Sequence, residues 1–160
     1  MRATFGSVEE YLGNVAHLLE RFGIALRGEA DLSLLEDRHG GLSFELMGDM
    51  PDGHDPARAE ITIREGFDPN QGDGYVRARY EYELLDRGRD FRRSFHLHFP
   101  DWFEREFLVV THEHCERPIG TVKCEHYQGS PLRDAFAGVV ALIDVWTADP
   151  PDCAAIRCLE

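Results

Sequence analysis

The first part of the chain is amphipathic with a helical period. Apolar side chains recur every three or four residues between positions 8 and 22, and Gly23 follows. Ser7 precedes Glu10 with the spacing of a capping box. The pattern predicts a helix over about 8–22. The apolar positions are Val8, Tyr11, Leu12, Val15, Leu18, Leu19 and Phe22.

The next region changes from a helical to a strand pattern. The segments LSLLE, LSFELM and AEITIRE lie between residues 32 and 65 and are separated by turns and loops rich in Gly, Pro and Asp. Such short apolar runs bounded by turn residues predict strands. Two longer alternating segments, residues 75–85 and 90–99, then predict a hairpin.

The alternation within this hairpin favours one register. Pairing Leu84 with Phe91 and Tyr80 with Phe95 buries one face, and the same register sets Glu83 opposite Arg92. A slip of one residue would put the apolar sets on opposite faces. The outer face would then carry a row of basic side chains, which are Arg77, Arg79, Arg92, His96 and His98.

The C-terminal part predicts two more strands and a helix. FLVVTHEHC and TVKCEHY have strand character, and Ser130 and Pro131 have the residue types of a helix start before an apolar stripe that reaches Trp146. We therefore predict one α+β domain over 1–160, with an irregular tail over 148–160. Its antiparallel sheet would have about five to seven strands, with the N-terminal and C-terminal helices on one face.

The charge balance narrows the range of partners. The chain has 160 residues, 30 acidic against 17 basic side chains, and a formal net charge of −13. This charge opposes binding to DNA and to anionic lipid, so an RNA contact would be local to 77–98, where six basic residues outnumber four acidic ones. The first ten residues have no apolar signal region, and the longest unbroken apolar run, 135–143, is too short for a bilayer. We predict a cytoplasmic protein that does not contact membranes.

Histidine and cysteine are concentrated in one segment. His112 and His114 precede Cys124 and His126, and these are ligand types that zinc prefers. On a hairpin with a five-residue loop, Cys124 would lie opposite His114 and His126 opposite His112. Structural zinc is favoured over catalytic zinc because the neighbouring glutamates alternate away from the ligands. The alternative is that these side chains are packed or hydrogen-bonded members of the sheet.

Two further cysteines, Cys153 and Cys158, lie in the tail. Without a secretion signal, we predict that they are free thiols rather than disulfide partners.

The basic outer face suits RNA chemistry. Metal-free RNA cleavage needs a base, an acid and a cation at the phosphate, and His and Arg supply all three. Arg92, His96 and His98 would be the catalytic residues, and His112 and His114 would join them or hold the metal. Arg77 and Arg79 would bind substrate. The alternative is a solvated face neutralised by neighbouring glutamates.

Short motifs in this region resemble those of a known toxin family. The order Tyr80-Glu81-Tyr82-Glu83-Leu84-Leu85-Asp86, Gly88-Arg89, Phe91-Arg92 and Thr111-His112-Glu113-His114 is similar to that of TumE-type toxins of prokaryotic toxin-antitoxin systems. The resemblance covers about residues 60–115. It implies a growth-inhibiting toxin that acts on RNA and is neutralised by an antitoxin partner, with Arg92, His112 and His114 as its functional residues.

Three functional hypotheses follow from the sequence. The first is an RNA-directed toxin, with ribonuclease activity on the Arg and His face. The second is a non-enzymatic, zinc-stabilised module that binds another protein. The third is a metal-free domain whose polar face binds a protein partner.

Overall fold

The computed structural model describes residues 4–28, 33–51, 59–72, 74–97, 101–121, 127–148, 153 and 158–159. Within these residues the chain forms an antiparallel sheet with helices packed on it, an α+β fold as predicted. The elements are β1 (Thr4–Phe5), α1 (Val8–Arg21), β2 (Ala25–Leu26), β3 (Leu35–Glu36), β4 (Leu42–Asp49), β5 (Ala59–Pro69), β6 (Tyr75–Asp86), β7 (Phe91–Leu97), α2 (Asp101–Phe107), β8 (Thr111–Glu116), β9 (Tyr127–Gln128) and α3 (Ala135–Thr147).

The sheet runs through seven strands in the order β2-β4-β5-β6-β7-β8-β9. The short strand β1 pairs with the beginning of β6, and β3 pairs with β4. Helices α1 and α3 contact each other and pack on the same face of the sheet. This face holds the buried core, and we call the opposite face the outer face. None of the described helices is long and apolar enough to cross a membrane.

Helix α1 confirms the prediction from the capping signal. The Ser7 side chain accepts a hydrogen bond from the Glu10 backbone N–H at 3.1 Å. Gly23 follows the helix with a φ of +76°, a conformation that glycine adopts without the steric cost of a side chain. Leu12, Val15 and Leu19 are almost fully buried against the sheet.

The predicted start of the C-terminal helix was wrong by several residues. Helix α3 begins after Asp134, whose side chain accepts a hydrogen bond from the Ala137 backbone N–H at 2.9 Å. Ser130 and Pro131 lie in the preceding irregular segment. Both Ser and Asp are good N-caps, so residue type alone did not identify the true helix start. The predicted strand FLVVTHEHC was also too long, because α2 occupies its beginning and β8 starts only at Thr111.

Where β6 pairs with β7, the central hairpin has the predicted faces but a different register. Asp86 pairs with Phe91, Leu84 with Arg93, and Tyr82 with Phe95, so each partner is shifted by two residues from the prediction. A shift of two residues preserves the face on which every side chain lies, and therefore the hydrophobic alternation could not exclude it. The hairpin closes through the four residues 87–90.

Candidate metal centre

Three histidines come together on the outer face of the sheet. In the β7–β8 pair, His96 lies directly opposite His112, and Ser94 lies opposite His114. Residues two apart on a strand share a face, so His114 is beside His112 and diagonal to His96. We refer to His96, His112 and His114 as the His triad.

The rings of the His triad are in mutual contact. The His96 and His112 rings are stacked with centroids 4.9 Å apart, and the His114 ring stands nearly perpendicular to both, at 4.8 and 4.9 Å. One nitrogen from each ring lies within 4.8 Å of the other two. His96 and His112 are buried, whereas His114 is half-buried.

This arrangement is close to what a transition metal requires. Zinc binds imidazole nitrogen at about 2.0–2.1 Å, so nitrogens around a tetrahedral ion are roughly 3.3 Å apart. The triad nitrogens would have to approach one another by about 1.5 Å at most. His96 Nε2 lies 2.9 Å from the Ser94 hydroxyl oxygen.

The triad differs from the ligand set predicted from the sequence. His112 and His114 were predicted as ligands, but His96 was assigned to RNA cleavage rather than to the metal. Cys124 and His126, and also His98 of the predicted RNA face, lie outside the described residues. Gln128, and not His126, is the residue opposite His112. The alternation of β7 gave the face on which His96 lies, but its position opposite His112 depends on the register between β7 and β8.

The prediction of free thiols in the tail was wrong. Cys153 forms a disulfide with Cys115 of β8, and Cys158 is also disulfide-bonded. Cys115 is 1% exposed and lies on the helix-covered face, between His114 and Glu116 in sequence but on the opposite side of the strand. The prediction failed because it relied on an inferred cytoplasmic location rather than on the distance between the cysteines. The disulfide attaches the segment after α3 to the strand that carries two members of the triad.

Arg92 lies on the outer face with the triad, but carboxylates already surround it. Its Nε donates to Glu83 Oε2 at 2.8 Å, and its Nη1 donates to Glu116 Oε1 at 2.8 Å. Although burial opposes the effect, hydrogen bonds from the Gly120 N–H and from Arg92 hold the pKa of Glu116 below its usual value. Arg92 therefore links β6 to β8 beside the triad.

Arg77 does not lie on the outer face, contrary to the prediction. Gly66 pairs with Arg79, and the next residue, Phe67, pairs with Arg77, so β6 has one extra residue at Ala78. This bulge reverses the alternation and turns Arg77 towards the helices. A single inserted residue cannot be recognised in a pattern that is otherwise regular, which is why the prediction placed Arg77 with Arg79.

Arg77 takes part in a buried polar cluster. Its Nη1 donates to Glu65 Oε1 at 2.8 Å and to the Tyr82 hydroxyl at 2.6 Å, and its Nη2 donates to the backbone oxygen of Leu132. Burial raises the pKa of Glu65. The cluster fixes the segment before α3 to the sheet, so Arg77 has a structural role.

Arg79, the other predicted substrate-binding residue, is exposed on the outer face. It lies beside a groove of about 310 Å³ that extends over β3 to β7. The groove adjoins the His triad, because Glu81 in its wall lies opposite His96.

Comparisons of the chain with protein-family models, with curated proteins and with solved structures gave no match. Functional inference therefore depends on the geometry of the site itself.

Proposed function

We propose that the protein is a zinc-stabilised interaction module in which the His triad holds the metal. The observation that supports this most strongly is the meeting of three imidazoles, contributed by two adjacent strands, with nitrogens within 4.8 Å of one another. Neutral imidazole is a preferred zinc ligand.

The surroundings of the triad favour a stabilising metal. The nearest charged side chains on the outer face are engaged with one another, as in the Arg92 contacts with Glu83 and Glu116. Glu113 alternates to the other face, where it forms an ion pair with Arg93. A metal that bridges β7 and β8 would hold these strands together and fix the polar surface that a protein partner meets.

Chelation tests this proposal. Zinc-loaded protein is compared with protein that has been treated with a chelator, by thermal unfolding at equal protein concentration. Zinc at about 100 times its dissociation constant should raise the melting temperature by about 5–10 °C. The variant His112→Ala should lose this difference, whereas His17→Ala, which removes an exposed imidazole on α1, should keep it. An equal melting temperature with and without zinc would reject the proposal.

The second proposed function is RNA cleavage by a toxin-like protein with an antitoxin partner. It is supported by the position of Arg92 on the same face as three imidazoles, a side-chain type that transfers protons near neutral pH. Induced expression of wild type and of the Arg92→Ala/His114→Ala double variant tests it, together with a ribonuclease assay. Growth arrest and RNA cleavage that both require these side chains would support this function. Absence of both with the wild type would reject it.

A further inference from the structure

The groove on the outer face has one cationic side chain, Arg79, that forms no ion pair with another described residue. Besides Arg79, four acidic or basic residues line it, namely Arg64, Glu45, Glu81 and Glu65, of which Glu65 pairs with Arg77 in the buried cluster. Arg64 Nη1 lies 3.0 Å from Glu81 Oε1, and Arg64 Nε contacts Glu45. These three charges form a connected ion pair network. Within the described part of the chain, Arg79 belongs to no ion pair.

The backbone beneath Arg79 gives its guanidinium a defined position. A Cβ atom added at Gly66 would lie 2.5 Å from Arg79 Nε and 2.6 Å from its Cζ, so the side chain lies flat over the bare backbone of β5. The carboxylate of Asp37 accepts hydrogen bonds from the His39 and Gly41 N–H groups at 2.7 and 2.9 Å, and it interacts with Arg79 through its charge rather than through an ion pair. The planar fork of Arg79 thus remains available to an anion from solution.

The groove also has apolar side chains in its walls. Leu35 of β3 is 67% exposed, and Leu97 at the end of β7 also lines the cavity. A volume of about 310 Å³ is in the range of small-molecule sites. The site thus combines one anchor for a negative charge with surfaces that would cover a short apolar body.

Charge determines which anion fits. Glu45 and Glu81 lie in the groove wall, and they repel a group with two negative charges about twice as strongly as a group with one. The net charge of −13 likewise disfavours a polyanion such as RNA. A carboxylate has a single charge and two oxygens that match the guanidinium fork.

We propose that this groove binds a small amphipathic carboxylic acid, whose carboxylate is held by Arg79 and whose apolar part packs on Leu35 and Leu97. The site is separate from the His triad and does not require a metal. Binding of such an acid would be a second function of the outer face, in addition to zinc binding.

Calorimetric titration of the metal-free full chain with sodium hexanoate tests the assignment. Acetate lacks the apolar part and hexanol lacks the charge, so both should bind at least tenfold more weakly than hexanoate. Arg79→Gln should weaken hexanoate binding by at least tenfold, as expected for the loss of a charged hydrogen-bond pair. Arg133→Gln, which removes an exposed arginine outside the groove, should leave binding unchanged.

Three results would overturn the assignment. One is the absence of hexanoate binding to the wild type, and another is equal binding to wild type and Arg79→Gln. The third is Arg79-dependent binding of a short single-stranded RNA with no binding of hexanoate. The His112→Ala variant separates the two sites, because it should lose zinc and keep hexanoate. Circular dichroism of each variant checks that the fold is intact.

Discussion

His96 and His112 face each other across the β7–β8 pair with their rings stacked, and His114 closes the triangle from the same face of β8. The register of two strands thus determines the candidate metal centre. Positions that share a face and lie opposite one another are close whatever the rest of the chain does. A change that alters the β7–β8 register should therefore affect the triad as a unit.

The close contact between α3 and the sheet can be tested at Gly138. A Cβ atom at this position would lie 2.3 Å from Tyr82 Cδ2, and the Tyr82 ring is fully buried. We expect Gly138→Ala to lower the free energy of unfolding by about 1–3 kcal/mol in urea titrations, since the helix must move away from the sheet.

A matched substitution in α1 should have the opposite sign. A Cβ atom at Gly13 would meet no atom within 4 Å. Gly13→Ala should therefore raise the free energy of unfolding by about 0.5–1 kcal/mol through helix propensity alone. Stabilisation by both substitutions would show that α3 does not pack on Tyr82 as described.

The buried pair of Arg77 and Glu65 is predicted to be important for stability. Arg77→Met would leave the Glu65 carboxylate without its cation, and breaking a buried pair costs about 3–5 kcal/mol. Burial already raises the pKa of Glu65, and a raised pKa of an acid means that stability decreases as the pH rises above the unfolded value. The loss in Arg77→Met should thus be larger at pH 8 than at pH 5.

The double variant Arg77→Met/Glu65→Gln provides the control for this pair. It removes the uncompensated charge, so it should recover part of the stability and lose most of the pH dependence that Arg77→Met shows. A single variant Arg77→Met as stable as the wild type would contradict the buried position of this arginine.

Arg77 also shows which part of the fold the sequence could predict. Alternation identified the strands and the two faces of β6, but a bulge at Ala78 changes the face of every residue before it. No residue type marks that bulge. Likewise, the two-residue shift of the hairpin leaves the alternation unchanged, and the alternation therefore could not reveal it. Because of this shift, Glu81 and not Arg79 lies opposite His96.

The candidate site was predicted in part for the same reason. His112 and His114 were identified because their spacing of two is meaningful on one strand. His96 was missed as a ligand because its proximity to His112 depends on the register between two strands. The disulfide of Cys115 with Cys153 depends on the position of residue 153 relative to β8, and no periodic pattern predicts that position.

Glu116 should contribute to the loss of stability in acid. Its pKa is lowered in the folded protein, so its stabilising effect is complete above the unfolded value near 4.5 and is lost as the pH falls through the folded value. Glu116→Gln should flatten the decrease of unfolding free energy below about pH 4.5, as measured by urea titrations at several pH values. Glu104→Gln, at an exposed position on α2, should retain the wild-type slope. Equal slopes for both variants would contradict the contacts of Glu116 with Arg92 and Gly120.

The Cys115–Cys153 disulfide should stabilise the whole fold. It closes a loop with a sequence separation of 38, for which the loss of chain entropy in the unfolded state corresponds to about 2–4 kcal/mol. Cys153→Ser should lower the free energy of unfolding by this amount in urea titrations of non-reduced protein. Unchanged stability of this variant together with a free thiol at Cys115 in the wild type would contradict the pairing.

Elemental analysis of untagged protein that has been dialysed against zinc tests most directly whether His96, His112 and His114 bind one metal ion. We predict one zinc per chain in the wild type and in His17→Ala. We predict a loss of zinc in His96→Ala, His112→Ala and His114→Ala, with circular dichroism confirming that each variant is folded. A folded wild-type protein without zinc, or triad variants that retain it, would contradict the assignment.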